Sequence, residues 1–131
     1  PGGAVATYAY SHPGNRMASG VGMSKTDYGD EGKEMAMQVI AGRPVALTKD
    51  TVPAEVIERE MEVYRGQVRE EGKPENMVEK IAEGKLNKFF KESTLLSQEY
   101  TREAKVSVEE HLKKIDKDLT VTAFQRLELG E

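Results

Sequence analysis

The chain has 131 residues and a formal net charge of −4, with 32% charged and 37% hydrophobic residues. This length suits one domain with a modest core, and the negative charge disfavours direct nucleic-acid binding. The absence of cysteine excludes disulfide bonds and thiolate metal sites. No apolar run approaches the roughly 20 residues of a membrane span, and the first residues lack the basic region of a signal peptide. We therefore expect a cytoplasmic protein without a membrane partner, and the initial Pro1 suits a piece of a longer polypeptide.

The N-terminal third of the chain predicts two strands and a helix. Residues 4–10 are rich in tyrosine and alanine and favour a strand, and a proline–glycine pair favours a turn over residues 11–15. Residues 16–23 are expected to return as a second strand, which two glycines weaken. Residues 30–41 then show a broad apolar periodicity, which predicts a helix that ends at Gly42.

The middle of the chain predicts two helices joined by a tight turn. The first begins at Pro53 and ends at Gly72, and the second begins at Pro74 and is expected to end at Gly84. Each carries one narrow apolar stripe, which is typical of paired helices. The stripes are Ile57, Met61, Tyr64 and Val68 in the first helix and Met77, Val78 and Ile81 in the second. The pattern predicts an αα-hairpin over about residues 53–84.

The last quarter of the chain predicts a short helix and then a strand. Ser107 and Glu110 have the spacing of a capping box, and the helix that follows places Val108, Leu112 and Ile115 on one face. The strand has alternating apolar residues, which are Leu119, Val121, Ala123, Leu127 and Leu129. Together the elements predict an α+β fold, with a small three-stranded antiparallel sheet covered by helices and a protruding antiparallel αα-hairpin.

One segment has some features of a phosphate-binding loop. The sequence "SGVGMSKT", residues 19–26, ends in Lys25 and Thr26 as such loops do. Ser19 and Ser24, however, stand where both glycines of that loop are required. We therefore interpret the segment as a glycine-containing strand and loop, and not as the nucleotide site of an enzyme.

The other titratable residues predict neither catalysis nor a metal site. His12 and His111 have no neighbouring nucleophile or orienting partner in the sequence, and we interpret both as surface histidines. The many glutamates of the hairpin alternate with arginine and lysine, which is typical of a solvent-exposed helical face. The residues thus predict a non-enzymatic domain that binds another macromolecule through its helical arm.

The hairpin and its surroundings carry motifs of a known family. The run "EGKPE-x-x-VEKI-x-EG-[KR]-x-x-KFF", followed by "LL-x-Q", occurs here within residues 52–100. The ending "VTAFQRLELGE" is similar to "F-x-RF-x-LGE", and "AYSHPGNR" is similar to "Y-x-H-x-G-x-R". On these motifs the chain resembles the bacterial translation elongation factor Ts family over nearly its whole length.

The resemblance implies a partner and a role. It implies that residues 1–131 form the C-terminal, dimerisation-type core domain, which anchors to elongation factor Tu as part of a guanine-nucleotide exchange factor. It implies no cofactor, and self-association is a further expectation. Seven residues are expected at the partner contact: His12, Arg16, Tyr64, Lys73, Lys80, Lys85 and Arg126. An alternative is a structural helical-hairpin interaction module without a role in exchange.

A second short match concerns Thr26, Asp27 and Tyr28. They correspond to the family's "TDF" motif, whose aromatic ring is held to wedge into elongation factor Tu near its magnesium and nucleotide site. The usual context "NCETDFVA" is absent here, so we interpret the match as coincidental. The family's dense strand "RVGVLV" is also replaced by "RMASGVGMS", so we expect a weaker strand here than the family's motif predicts.

Overall fold

A computed structural model describes residues 6–12 and 17–128 of the chain. Three strands and four helices are described, together with a short 3-10 helix over Lys49–Thr51. The strands are β1 (Ala6–His12), β2 (Met17–Met23) and β3 (Val121–Glu128). The helices are α1 (Gly29–Gly42), α2 (Ala54–Glu70), α3 (Glu75–Ser93) and α4 (Val108–Ile115). The predicted α+β class is confirmed.

The sheet has the order β1-β2-β3, and both pairings are antiparallel. Tyr8, Val21 and Phe124 lie opposite one another across it. The strand that looked weak in sequence is therefore the central one, and hydrogen bonds along both edges compensate for its glycines. β1 also extends through His12, so the start of the predicted turn is strand. Residues 13–15 of that turn and residue 16, the predicted start of the second strand, lie outside the described residues.

Helix α1 covers one face of the sheet at close range. Its buried apolar residues pack with those of β2; they include Met35, Ala36 and Val39 from the helix and Val21 and Met23 from the strand. Gly32 permits this approach, because a Cβ atom there would lie 2.1 Å from Cδ2 of Tyr8. The hydroxyl of Ser19 donates to the carbonyl of Ala36 at the same interface. The sheet and α1 therefore form the base of the molecule.

Helices α2 and α3 form the predicted antiparallel hairpin, here called the arm (residues 54–93). The residues buried between them are Met61, Val68, Val78 and Ala82. Three residues of the predicted stripes, Ile57, Tyr64 and Ile81, are half-buried, whereas Met77 is 44% exposed and lies outside the seam. The two helices pack mainly on each other and make at most marginal contact with the other helices and strands, so the arm protrudes.

The prediction that Gly84 ends the second helix is wrong. Helix α3 continues through Gly84 to Ser93, and the arm is correspondingly longer than predicted. A single glycine costs about 1 kcal/mol within a helix, and packing of the neighbouring Ala82 in the seam offsets that cost. Gly72 does end α2 as predicted, and its φ of 81° is one that glycine adopts readily.

Two buried glutamines fasten the base of the arm to α1. Nε2 of Gln98 donates to the carbonyls of Gly42 at 2.7 Å and Glu92 at 3.0 Å. Oε1 of Gln98 accepts from Nε2 of Gln38 at 3.1 Å. Oε1 of Gln38 in turn accepts from the amide of Thr101 at 3.0 Å. Every polar end of the pair is thus satisfied, and the end of α3 is held against the end of α1.

The C-terminal elements close the core with some departures from the predicted pattern. Ser107 and Glu110 form the predicted capping box at the start of α4, and Leu112 is fully buried while Ile115 is 39% exposed. Leu119 is buried just before β3, but Leu127 is 48% exposed because a register shift between Gly22 and Met23 interrupts the alternation. The predicted apolar position Leu129 lies outside the described residues.

Candidate protein-interaction surface

The segment with features of a phosphate-binding loop is not a loop in the structure. Residues 19–23 belong to the central strand β2, whose backbone groups pair with β1 and β3. Lys25 is engaged with Asp116, its Nζ lying 2.8 Å from Oδ2. The backbone amides of this segment are therefore not arranged to surround a phosphate, which supports the interpretation made from the glycine positions.

Thr26, Asp27 and Tyr28 lie in the loop between β2 and α1. The Tyr28 hydroxyl donates to Oδ2 of Asp116 at 2.8 Å, and its ring packs against the buried core. Hydrogen bonds from Lys25, from the Asp118 amide and from Tyr28 hold the pKa of Asp116 well below its ordinary value. This arrangement ties the start of α1 to the end of α4, and it favours a structural role for Tyr28 over that of a projecting wedge.

The two predicted surface histidines lie in different elements, His111 in α4 and His12 in β1. His111 is not a surface residue as predicted, because its side chain is only 18% exposed and its ring stacks on Tyr100 with the centroids 4.2 Å apart. Nδ1 of His111 lies 3.5 Å from Glu103, while its buried Nε2 has no hydrogen-bond partner in the described part of the chain. His12 is the last residue of β1.

Residues 6–12 and 17–128 give no support for a metal site or for a membrane-spanning helix. No group of three or more histidine, aspartate or glutamate side chains there is placed to hold a metal ion. No described helix has the length and apolar content that crossing a bilayer requires. The surfaces to be considered are therefore those of the arm and of the sheet.

One face of the arm is closed by ion pairs between its helices. Arg65 bonds Glu79 with two nitrogens, at 2.9 Å and 3.1 Å, and also reaches Glu58 at 3.4 Å. Arg69 bonds Glu75 at 2.8 Å and 3.2 Å. The hydrogen bonds from these guanidinium groups lower the pKa of both Glu75 and Glu79. The charges of this face are thus largely matched within the arm itself.

The opposite face of the arm contains a shallow groove of about 240 Å³. Its lining residues are Tyr64, Gln67, Lys85, Lys88, Phe89, Glu92 and Ser93. Burial, with a 2.7 Å hydrogen bond to Glu60, raises the pKa of Tyr64 to about 12, so its hydroxyl stays protonated. The groove presents the aromatic rings of Tyr64 and Phe89, a residue class that is enriched at protein interfaces, beside lysine side chains that can attract carboxylates of a partner.

The structure brings together only part of the predicted contact set. Tyr64 and Lys85 share the groove, and Lys85 lies 3.9 Å from Glu71. Lys73 lies in the turn at the tip of the arm and Lys80 on the exposed surface of α3. Arg126 lies elsewhere, on β3, with its guanidinium 3.2 Å from the sulfur of Met17. Of the two remaining predicted residues, His12 ends β1, and Arg16 lies outside the described residues.

Several groove residues were missed in the sequence. Gln67 precedes the seam residue Val68, and Lys88 and Glu92 follow Lys85 at three and seven residues. The helical spacing of Lys88 and Glu92 places them on the same side of α3. A search for polar residues at helical spacing from Lys85 would have found Lys88 and Glu92, but not Gln67, which lies on the other helix of the arm.

Comparison with known proteins gives the context for these surfaces. The sequence profile of the family described as "Elongation factor TS" matches residues 3–131. The chain belongs to the elongation factor Ts family.

This chain is shorter than the relatives that it matches. It is 45% identical over 124 residues to Elongation factor Ts of Christiangramia forsetii, covering 93% of this chain and 45% of the relative. It is also 45% identical over 124 residues to Elongation factor Ts of Cytophaga hutchinsonii, covering 92% of this chain and 45% of the relative. With Elongation factor Ts of Desulfosudis oleivorans it shares 42% identity over 114 residues, covering 83% of this chain and 58% of the relative. The chain thus spans about half the length of these relatives.

The motifs that carry the elongation factor Ts resemblance have distinct places in the fold. The "LL-x-Q" motif supplies two core leucines, Leu95 and Leu96, and the buried Gln98. The "EGKPE" motif forms the turn at the tip of the arm. The "VEKI-x-EG" motif lies on α3 and contributes only Val78 and Ala82 as buried residues. The last motif is therefore mostly exposed on the arm.

Proposed function

We propose that this chain binds elongation factor Tu and acts as part of a guanine-nucleotide exchange factor in translation elongation. The observation that carries the proposal is the family profile, which covers residues 3–131. The protruding arm, with one face closed by ion pairs and the other holding an open groove, supports a binding role. We propose further that residues 1–131 correspond to the C-terminal core domain of longer members.

The mechanism follows from linkage between two ligands of one protein. A partner that binds nucleotide-free elongation factor Tu more tightly than the GDP-bound form must weaken GDP binding by the same factor. In this scheme the base of the molecule anchors to elongation factor Tu, and the arm adds contacts at a distance. Because "NCETDFVA" is absent and Tyr28 is bonded to Asp116, we expect binding with weak stimulation of GDP release.

The alternative is a structural interaction module without a role in exchange. The feature that favours it is the same bonded Tyr28, because no other aromatic residue of the β2–α1 loop is available as a wedge. Self-association also belongs here as a proposal, with the sheet face opposite α1 as its candidate surface. The shallow depression on that face, about 160 Å³, is lined by Thr7, Gly20, Val21, Gly22, Ala123, Phe124 and Gln125.

Two measurements with purified elongation factor Tu test the proposal. Binding of the chain to the nucleotide-free and the GDP-bound forms is measured by calorimetry, and release of a fluorescent GDP analogue is followed with and without the chain. We expect tighter binding to the nucleotide-free form and only a weak acceleration of GDP release by the chain. Lys85→Glu in the groove should weaken binding, whereas Lys113→Glu on α4, with the same change of charge, should not. No binding by the unsubstituted chain would refute the proposal, and binding without preference would favour the structural module.

A further inference from the structure

Each helix of the arm contains one glycine that the fold does not require. Gly66 in α2 and Gly84 in α3 are both exposed, and a Cβ atom at either position would meet nothing within 4 Å. Glycine is among the poorest helix formers, and neither residue is needed for a turn or a close approach within the chain. Each glycine is therefore unexplained by the folded chain alone.

The surroundings of Gly84 differ from a uniformly charged helix surface. Its neighbours on the helix lie three, four and seven residues away in each direction. They are Met77, Lys80, Ile81, Asn87, Lys88 and Lys91. Met77 is 44% exposed and Ile81 is half-buried. Gly84 thus forms a gap on the helix surface between two apolar and three basic side chains.

The positions on this flank have the spacing of a helix-pairing stripe. Met77, Ile81, Gly84 and Lys88 recur at intervals of four, three and four residues. That spacing matches another helix, whereas a strand would require alternation. A residue without a side chain at the centre of the stripe allows a second helix to approach α3 closely at that point.

The charge of the flank specifies the chemistry of the partner. Lys80 is exposed and has no ion pair among the described residues, and Lys88 reaches Glu92 only at 4.0 Å. On the opposite face of the arm, by contrast, Arg65 and Arg69 are bonded to glutamates across the seam. A partner helix with carboxylates at the matching positions would complement Lys80 and Lys88.

We propose that this flank of α3, comprising Met77, Lys80, Ile81, Gly84 and Lys88, binds an amphipathic helix of the partner protein that carries acidic residues beside an apolar stripe. The partner helix crosses α3 at Gly84, its apolar side chains cover Met77 and Ile81, and its carboxylates pair with Lys80 and Lys88. This inference rests on the proposed function, in which the partner is elongation factor Tu.

The test uses the second glycine as a matched control. Gly84→Gln and Gly66→Gln make the same change at exposed positions in the two helices of the arm. Both should raise the melting temperature, because glutamine is the better helix former. Affinity for elongation factor Tu, measured by calorimetry, should fall at least tenfold for Gly84→Gln and stay within twofold for Gly66→Gln. Unchanged affinity of Gly84→Gln would overturn the proposal.

A charge experiment tests the same surface independently. Lys80→Glu with Lys88→Glu should weaken binding to elongation factor Tu at least tenfold at low salt, with a smaller effect at high salt. Lys49→Glu with Lys113→Glu changes the net charge equally at exposed positions outside the arm, and should leave binding within twofold. Equal losses in both pairs would indicate a general charge effect and refute the assignment.

The outcomes separate this inference from the proposed function. If the unsubstituted chain does not bind elongation factor Tu, the proposed function fails and the assigned partner fails with it. If the unsubstituted chain binds and both glycine variants lose affinity alike, the two glycines are needed for bending of the arm. The assignment of the docking flank is then wrong, while the proposed function stands.

Discussion

Replacing Gln98 by leucine removes the hydrogen bonds that fasten the arm to α1. Leucine has a similar volume but cannot donate to the carbonyls of Gly42 and Glu92, nor accept from Gln38. A buried polar group without a partner costs roughly 1–3 kcal/mol. Gln38 keeps a bond of 3.3 Å to the carbonyl of Glu99, so its share of the cost is small. We expect the free energy of unfolding to fall by about 3 kcal/mol.

The assay is denaturant unfolding of the complete chain, followed by circular dichroism. A loss of about 3 kcal/mol corresponds to a melting temperature lower by about 10 °C. Gln67→Leu is the matched control, because Gln67 is exposed on the arm and should change stability by less than about 0.5 kcal/mol. A double-mutant cycle with Gln38→Leu then isolates the bond between the two glutamines. A loss below about 1 kcal/mol for Gln98→Leu would contradict the view that this site is buried and fully bonded.

Three further substitutions test other parts of the structure. Gly32→Ala should lower stability by about 2 kcal/mol in thermal unfolding, because the added methyl overlaps the ring of Tyr8; an unchanged melting temperature would refute that contact. Val68→Ala should cost about 2 kcal/mol, and amide exchange should rise in the arm before it rises in the sheet; uniform exchange would contradict an independently opening arm. The hydrogen bond from Lys25 lowers the pKa of Asp116, so the Asp116 carboxylate stabilises the fold above pH 3.8, its ordinary pKa, and progressively less below that pH. The difference in melting temperature between the unsubstituted chain and Asp116→Asn should therefore shrink below about pH 4. A difference that does not change with pH would refute the bond.

The arm was predictable because its signals are local. The apolar spacing, Gly72 and Pro74 all act within a few residues, and they placed the turn and most of the seam correctly. The end of α3 was not predictable from Gly84, because burial of Ala82 in the seam offsets the low helix propensity of one glycine. Met77 was misplaced for a related reason, since its neighbour Val78 already fills the seam.

Features that depend on distant parts of the chain were harder to predict. β2 looked weak because its alternation is thin, and its position between two other strands is what stabilises it. The burial of His111 depends on stacking with Tyr100, which the helical pattern of α4 alone does not indicate. The bond between Tyr28 and Asp116 joins residues 88 positions apart. In the candidate site, Tyr64 and Lys85 were predicted from the resemblance, whereas the exposed stripe around Gly84 required knowledge of which residues the seam leaves uncovered.

The central position of β2 has a consequence for the order in which this chain folds during synthesis. The arm closes through contacts between neighbouring segments, so it can form as soon as α3 has left the ribosome. The partner strand of β2 on its second edge arrives much later, since Gly22 and Thr122, joined by a hydrogen bond, are 100 residues apart. Until β3 is made, one edge of β2 has no strand to pair with and is open to pairing with other nascent chains. Addition of β3 is therefore the step that protects the sheet from aggregation, and a chain arrested before β3 should depend on chaperones far more than the finished one.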